Sequence, residues 1–223
     1  AHRFSHTGPM SPGAWYDHNP YGTRQVIGTV RALMRTDGLE VSLTAIARGC
    51  GTSRNFLYAN WRSASALRLL ALRAELAHAF GTADRTHPSD GTVRGITGHL
   101  VQVARVVRRH PTTASVARSS PAALSRAHTA VDGPLVRAAI DLISDLLHPL
   151  APHGGLWSDP ALHSRAWKIL WIARPAALCP EAVGDQDREE ALDRALTGLL
   201  GDLLAPWDSA RQPPARDSQA PPR

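Results

Sequence analysis

The chain has 223 residues, 43% of them hydrophobic and 20% charged, with 17 Gly, 17 Pro and two Cys. That length suits one medium domain or a small module joined to a larger one, and it can bury a real core. No run approaches the roughly 18 apolar residues that span a bilayer, so a transmembrane protein is excluded and no membrane partner is expected.

Ala1–Thr23 is polar and rich in paired turn formers (Gly8-Pro9, Ser11-Pro12-Gly13, Asn19-Pro20) and reads as a loose arm without the apolar stretch of a secretory signal. From Val26 the periodicity turns helical: Val26, Ile27, Val30, Leu33 and Met34 recur at one-face spacing until Asp37-Gly38. Ser42 is placed to cap a short helix carrying Leu43, Ile46 and Ala47, which stops at Gly49–Gly51. Ser53 caps another short helix through Asn60, and Ser63 opens a longer one through about Phe80. A loop is expected over Gly81–Gly91, then an amphipathic helix over Thr92–His110 that halts before Pro111. Short helical pieces follow at Thr113–Arg118 and Pro121–Ala130, and longer helices at Leu135–Leu150, Pro160–Arg174 and Asp187–Leu204. The fold class is all-α. Pro206–Arg223 holds five prolines and reads as a disordered tail.

Two helices joined by a tight, glycine-containing turn are the arrangement of a helix-turn-helix. The second short helix offers Ser53, Arg54, Asn55, Tyr58 and Asn60 outward. Arginine, asparagine and hydroxyl groups bond guanine edges, adenine edges and phosphates respectively. Charge agrees locally. The formal net charge is +6, and Lys168 is the single lysine among 25 basic residues. Arg24–Ser63 carries six arginines against Asp37 and Glu40, a net +4, whereas Glu181–Ala205 carries seven acids against two arginines, a net −5. A basic end that attracts phosphate and an acidic end that avoids it would orient the molecule on DNA.

The run SLTAIARGCGTSRNFLYANWRSASAL, from Ser42 to Leu67, resembles the signature of tetracycline-repressor-like (TetR family) regulators. The order is a T-x-x-x-I-A-like stretch, a turn around glycine, and an L-Y-x-x-aromatic segment before a serine. The likeness covers about Arg24 to Leu70. It implies a three-helix DNA-binding domain at residues 24–63 followed by a helical ligand-binding and dimerisation domain at 64–205, between an arm at 1–23 and a tail at 206–223. By the same resemblance Ser42 and Thr44 would touch phosphate, Arg54, Asn55 and Tyr58 would enter the major groove, and Asn60 and Arg62 would lie near the backbone. Ser42, Asn60, Trp61 and Ala64 depart from the residues usual in the family; the last removes a lysine that reaches phosphate.

The larger part then supplies dimerisation and a pocket. Leu192, Ala195, Leu196, Leu199 and Leu203 form one stripe that, with Pro160–Arg174, would make half of a four-helix dimer interface. Trp167 and Trp171 lie one turn apart, with His99, Val103, His128 and Trp157 as candidate neighbours around a partly apolar small-molecule effector.

No glycine-rich phosphate loop, H-E-x-x-H, nucleophile elbow or paired-cysteine motif is present. No catalytic residue, metal site or cofactor is therefore expected, and an enzyme is the weakest alternative. Cys50 and Cys179 suit a reducing cytosol. The expectation is a homodimeric repressor of a palindromic double-stranded DNA operator, released by a small molecule. A small-molecule sensor without operator binding is the alternative.

Overall fold

The computed structural model describes residues 20–61, 63–150 and 160–209. Among these, all regular structure is helical: α1 (Pro20–Asp37), α2 (Leu43–Cys50), α3 (Arg54–Trp61), α4 (Ala64–Thr86), α5 (Val93–Arg109), α6 (Pro111–Ser119), α7 (Pro121–Thr129), α8 (Pro134–Leu147), α9 (Pro160–Ala177) and α10 (Gln186–Ser209). The part of the expected arm that precedes Pro20, the tail beyond Ser209, Arg62 and Trp157 lie outside the described residues.

Local chemistry sets most boundaries. The hydroxyls of Ser42, Ser63 and Thr92 accept hydrogen bonds from Ala45, Ala66 and Gly95, satisfying amide groups that a helix start leaves unpaired. Gly51 ends α2 in the left-handed region, at φ +64°, which glycine occupies without a Cβ penalty. His110 serves two helices: it follows the last turn of α5, and its Nδ1 accepts the Thr112 amide at the head of α6.

Several ends differ from expectation. Helix α1 begins at Pro20, inside the segment read as arm, since proline suits a first turn. Helix α4 runs through Gly81 to Thr86, because Ala83 is sealed in the core and Arg85 and Thr86 bond back to Thr82. The loop expected at Gly81–Gly91 is therefore shorter and begins at His87. Helix α10 likewise carries Pro206 and runs past the expected boundary at residue 205.

Two hydrophobic cores sit end to end. The smaller joins α1, α2, α3 and the start of α4 through Val26, Val30, Met34, Ile46, Leu57 and Leu67. The larger gathers α4, α5, α8, α9 and α10 around Ile96, Leu100, Ile143, Ile169, Leu200 and Leu204. Helix α4 enters both, and α1 packs along α4 and α6. The seam between them is held by polar contacts: Arg31 to Glu75 at 2.8 Å, Ser115 Oγ to the Thr36 carbonyl at 2.8 Å, Ser120 Oγ to Glu40 at 2.9 Å, and Arg68 to the Leu39 carbonyl.

Candidate nucleic-acid interface and interior cavity

Helix α3 is eight residues long and buries one side chain, Leu57. That single anchor, packed with Ile46 and Leu67, leaves the rest of the helix standing off the surface. Arg54, Asn55, Phe56, Tyr58, Ala59 and Asn60 are all exposed, including two large aromatics at 40% and 49% exposure. Ser53 caps the helix by accepting the Phe56 amide at 3.1 Å, and the Asn60 side chain donates to the Phe56 carbonyl at 2.8 Å. Phe56 and Trp61 meet edge to face with centroids 6.1 Å apart. Trp61 thus packs sideways and holds the C-terminal turn of α3 in place.

Ser42 and Thr44 are exposed at the start of α2, beside α3. The structure therefore brings Ser42, Thr44, Ser53, Arg54, Asn55, Tyr58 and Asn60 onto adjacent exposed segments. Arg24, Arg48 and Arg54 are exposed, and no described carboxylate pairs with them. Arg31 and Arg35 are different: both turn to Glu75 on α4, at 2.8 and 3.9 Å. The sequence count of +4 thus overstates the charge this face presents.

The acidic end needs the same correction. Glu189 and Asp193 lie on the inner side of α10. Asp193 accepts from Arg105 at 2.6 Å and from Arg108 at 2.7 Å, and Glu189 accepts from Arg109 at 2.8 Å. The Arg108 guanidinium is fully enclosed and also donates to the Ala176 carbonyl at 3.0 Å. Burial pushes the Asp193 carboxyl up, and hydrogen bonds from Arg108 and Arg105 outweigh it, holding it below its usual range. Two of the seven acids are thereby neutralised inside the fold rather than displayed.

The proposed α10 stripe also divides. Leu196 joins Leu200 and Leu204 in the core, while Ala195 and Leu199 face outward and Leu192 and Leu203 sit at the margin. The physical reason is angular: the inner line of α10 runs through Glu189, Asp193, Leu196, Leu200 and Leu204, so the stripe straddles its edge. Leu199 is 55% exposed, and a Cβ added at Gly198 or Gly201 would meet nothing within 4 Å.

A cavity of about 390 Å³ lies between α4, α5, α6, α7, α8 and α9 and reaches Leu39 at the seam. Leu72, Leu76, Leu100, Val103, Val107, Val136, Ile143 and Leu170 make much of its wall. Its size lies in the range of small-molecule pockets. Of the pocket candidates, Val103 is on this wall and His99, Trp167 and Trp171 are not. His99 is buried on another side of α5, where Nδ1 is 3.2 Å from the His87 carbonyl, the ring packs on Phe80, and Nε2 is 3.7 Å from Asp84. Trp167 and Trp171 pair at 5.4 Å outside that wall, with Trp167 37% exposed on the outer face of α9. Leu170, Ala173, Arg174 and Ala177 form the inward row instead. His128 is in α7, but its side chain is outside the described set.

The polar groups on the wall are ones that sequence reasoning missed: Glu75, His110, Thr112, Thr113, Asp132 and Arg174. Burial pushes the Glu75 carboxyl up, but hydrogen bonds from His110 and Arg31 outweigh it and hold the group at about 2. The available signal was that Glu75 is the one acid between Ala64 and Ala83, on the same stretch of α4 as Leu72, Leu76 and Ala79. Arg174 lies under Trp171, its guanidinium 4.7 Å from the ring centroid, and donates to the Ala130 carbonyl at 2.6 Å. Among the described residues no group of three or more metal-ligating side chains converges, and no helix is long and apolar enough to cross a membrane.

No protein-family model matches the chain, and no curated protein matches it in sequence. Solved structures do match in shape. The TetR family repressor AlkX from Dietzia sp. strain DQ12-45-1b, described as implicated in biodegradation of n-alkanes, superposes with a TM-score of 0.60 at 17% identity over 91% of this chain and 98% of that one. A TetR-family transcriptional regulator from Streptomyces coelicolor gives 0.52 at 20% identity, covering 85% of this chain and 83% of that one. The chain therefore has the all-α fold seen in TetR-family regulators.

Proposed function

We propose that this chain is a DNA-binding transcriptional regulator, a homodimeric repressor that reads a palindromic operator through α3 and leaves it when a small molecule fills the cavity. The observation that carries the reading is α3 itself. A helix that buries only Leu57 and presents Arg54, Asn55, Tyr58 and Asn60 beside exposed, unpaired arginines is built to be covered by something polyanionic. Arg54, Asn55 and Tyr58 contact base edges, while Ser42, Thr44, Ser53, Asn60 and Arg62 contact the backbone. The fold supports this reading, since both neighbours above carry regulator descriptions.

The outward row Ala195 and Leu199, with Leu192 and Leu203 at its margin and Trp167 exposed on α9, supports dimerisation through α9 and α10. Two copies would set their α3 helices about 34 Å apart, one turn of DNA. The cavity touches α4 and α6, the two helices on which α1 rests, so filling it gives a ligand leverage over α3. The ligand needs only a higher affinity for the state in which that spacing is wrong.

A gel shift of a palindromic fragment selected from genomic DNA tests this. Binding should weaken steeply with salt, since each phosphate neutralised adds about −0.9 to the log–log slope. Arg54→Ala combined with Tyr58→Ala should abolish the shift, whereas truncation after Ser209 should leave it. Ligand binding with no DNA shift at any salt concentration would favour the sensor reading instead.

A further inference from the structure

Among the described residues six large apolar side chains are exposed, and two of them, Phe56 and Tyr58, belong to the eight-residue helix α3. Tyr58 carries a hydroxyl that can bond a base or a phosphate. Phe56 has no polar side-chain atom, yet it follows Arg54 and Asn55 directly at the N-terminal end of the helix. In a helix-turn-helix those first residues are the ones that meet base edges in the major groove.

The ring is braced. The Phe56 amide donates to the Ser53 hydroxyl at 3.1 Å, and the Phe56 carbonyl accepts the Asn60 side chain at 2.8 Å. The ring meets Trp61 edge to face at 6.1 Å, and Trp61 packs in turn against the smaller core. Its neighbours still leave Phe56 40% exposed. A side chain held in this way loses little conformational freedom when a partner covers it.

The major-groove edges of the bases offer donors, acceptors and one apolar group, the C5 methyl of thymine. A phenyl ring set against a polar edge takes water from it and returns no hydrogen bond, which costs free energy. Against the methyl it removes apolar surface from water on both sides. The ring therefore favours thymine twice, by contact with the methyl and by the penalty at other bases. Arg54 and Asn55 beside it have the complementary chemistry, suited to guanine and adenine.

Resting on the DNA-binding reading above, we propose that Phe56 is a specificity-determining residue that packs on the thymine methyl of one base pair in each operator half-site. A Phe56 that only steadied α3 through Trp61 would act on every fragment alike. A Phe56 that reads a methyl acts at one position.

Deoxyuridine separates the two, because uracil pairs with adenine as thymine does and lacks only the methyl. Each thymine of the palindromic fragment selected from genomic DNA is replaced in turn, symmetrically in both halves, and binding to the full chain is followed by gel shift. At one position the replacement should weaken binding about fourfold per half-site, the worth of one buried methyl-sized group. In Phe56→Ala and in Phe56→Gln that penalty should vanish while other thymines keep theirs, with the helical circular dichroism unchanged. Phe56→Met, which stays apolar, should retain at least about half of the effect on a logarithmic scale. Half-sites in which no thymine replacement costs more than about twofold would overturn the proposal. So would a penalty that persists in Phe56→Ala and Phe56→Gln, or a loss in those variants that is uniform across all fragments. Absence of any DNA shift removes the regulator reading and this assignment together; a shift indifferent to thymine methyls removes this assignment alone.

Discussion

Glu75→Gln is the sharpest probe of how the two cores are joined. The carboxylate is largely buried, accepts Arg31 at 2.8 Å and His110 at 3.3 Å, and is held at about 2 against an ordinary 4.5. A tenfold change in proton affinity is worth about 1.4 kcal/mol, so the ionised form stabilises the native state by about 3 kcal/mol at neutral pH. The sign follows from a native value below the unfolded one. The contribution is fully present above about pH 5 and is lost as pH falls toward 2; roughly 1.4 kcal/mol of it is gone by about pH 3.5. Glutamine keeps the shape and an acceptor but never carries the charge. Urea unfolding of both proteins at neutral pH should therefore differ by about 2–3 kcal/mol, with the gap closing as the buffer is acidified. A gap below about 0.5 kcal/mol at neutral pH, or one that stays constant down to about pH 3.5, would refute the reasoning.

Other perturbations separate local strain, buried charge and assembly. Gly38 and Gly51 share a positive φ (61° and 64°), but a Cβ at Gly38 would lie 2.1 Å from Ser119 Oγ and 3.3 Å from the Ser115 carbonyl, whereas at Gly51 it meets nothing within 4 Å. Gly51→Ala should cost about 1 kcal/mol and Gly38→Ala about 2–3 kcal/mol by thermal unfolding, the difference coming from the α1–α6 contact. Arg108→Met should cost about 3 kcal/mol by removing the enclosed partner of Asp193, and adding Asp193→Leu should recover most of it, since Arg105 can turn to water. Leu199→Asp, on the outward row of α10, should shift light scattering from dimer to monomer while leaving the thermal midpoint of the chain nearly unchanged.

The parts of this molecule legible in its sequence are those fixed within a few residues. Ser42, Ser53, Ser63 and Thr92 announce helix starts because a capping bond reaches only three residues along the chain. The exposed side of α3 was readable for the same reason: with Leu57 as the anchor, the helical repeat leaves Arg54, Asn55 and Tyr58 outside. Gly81 misled because a mid-helix glycine costs about 1 kcal/mol in isolation, an amount that burial of Ala83 and the bonds to Thr82 offset here. Charge was the least transferable signal. Glu189 and Asp193 look like a solvated acidic face until Arg105, Arg108 and Arg109, about 80 positions earlier, are brought against them. The cavity needs six helices at once, and no spacing along one of them announces that Leu170 faces it while Trp167 does not.

Selection of genomic fragments by the purified full chain tests the central claim most directly. The account predicts enrichment of an inverted repeat whose half-sites lie about one helical turn apart, about 34 Å, lost when Arg54 and Tyr58 are both alanine. Fragments without such a repeat, or equal enrichment by the double-alanine chain, would contradict it.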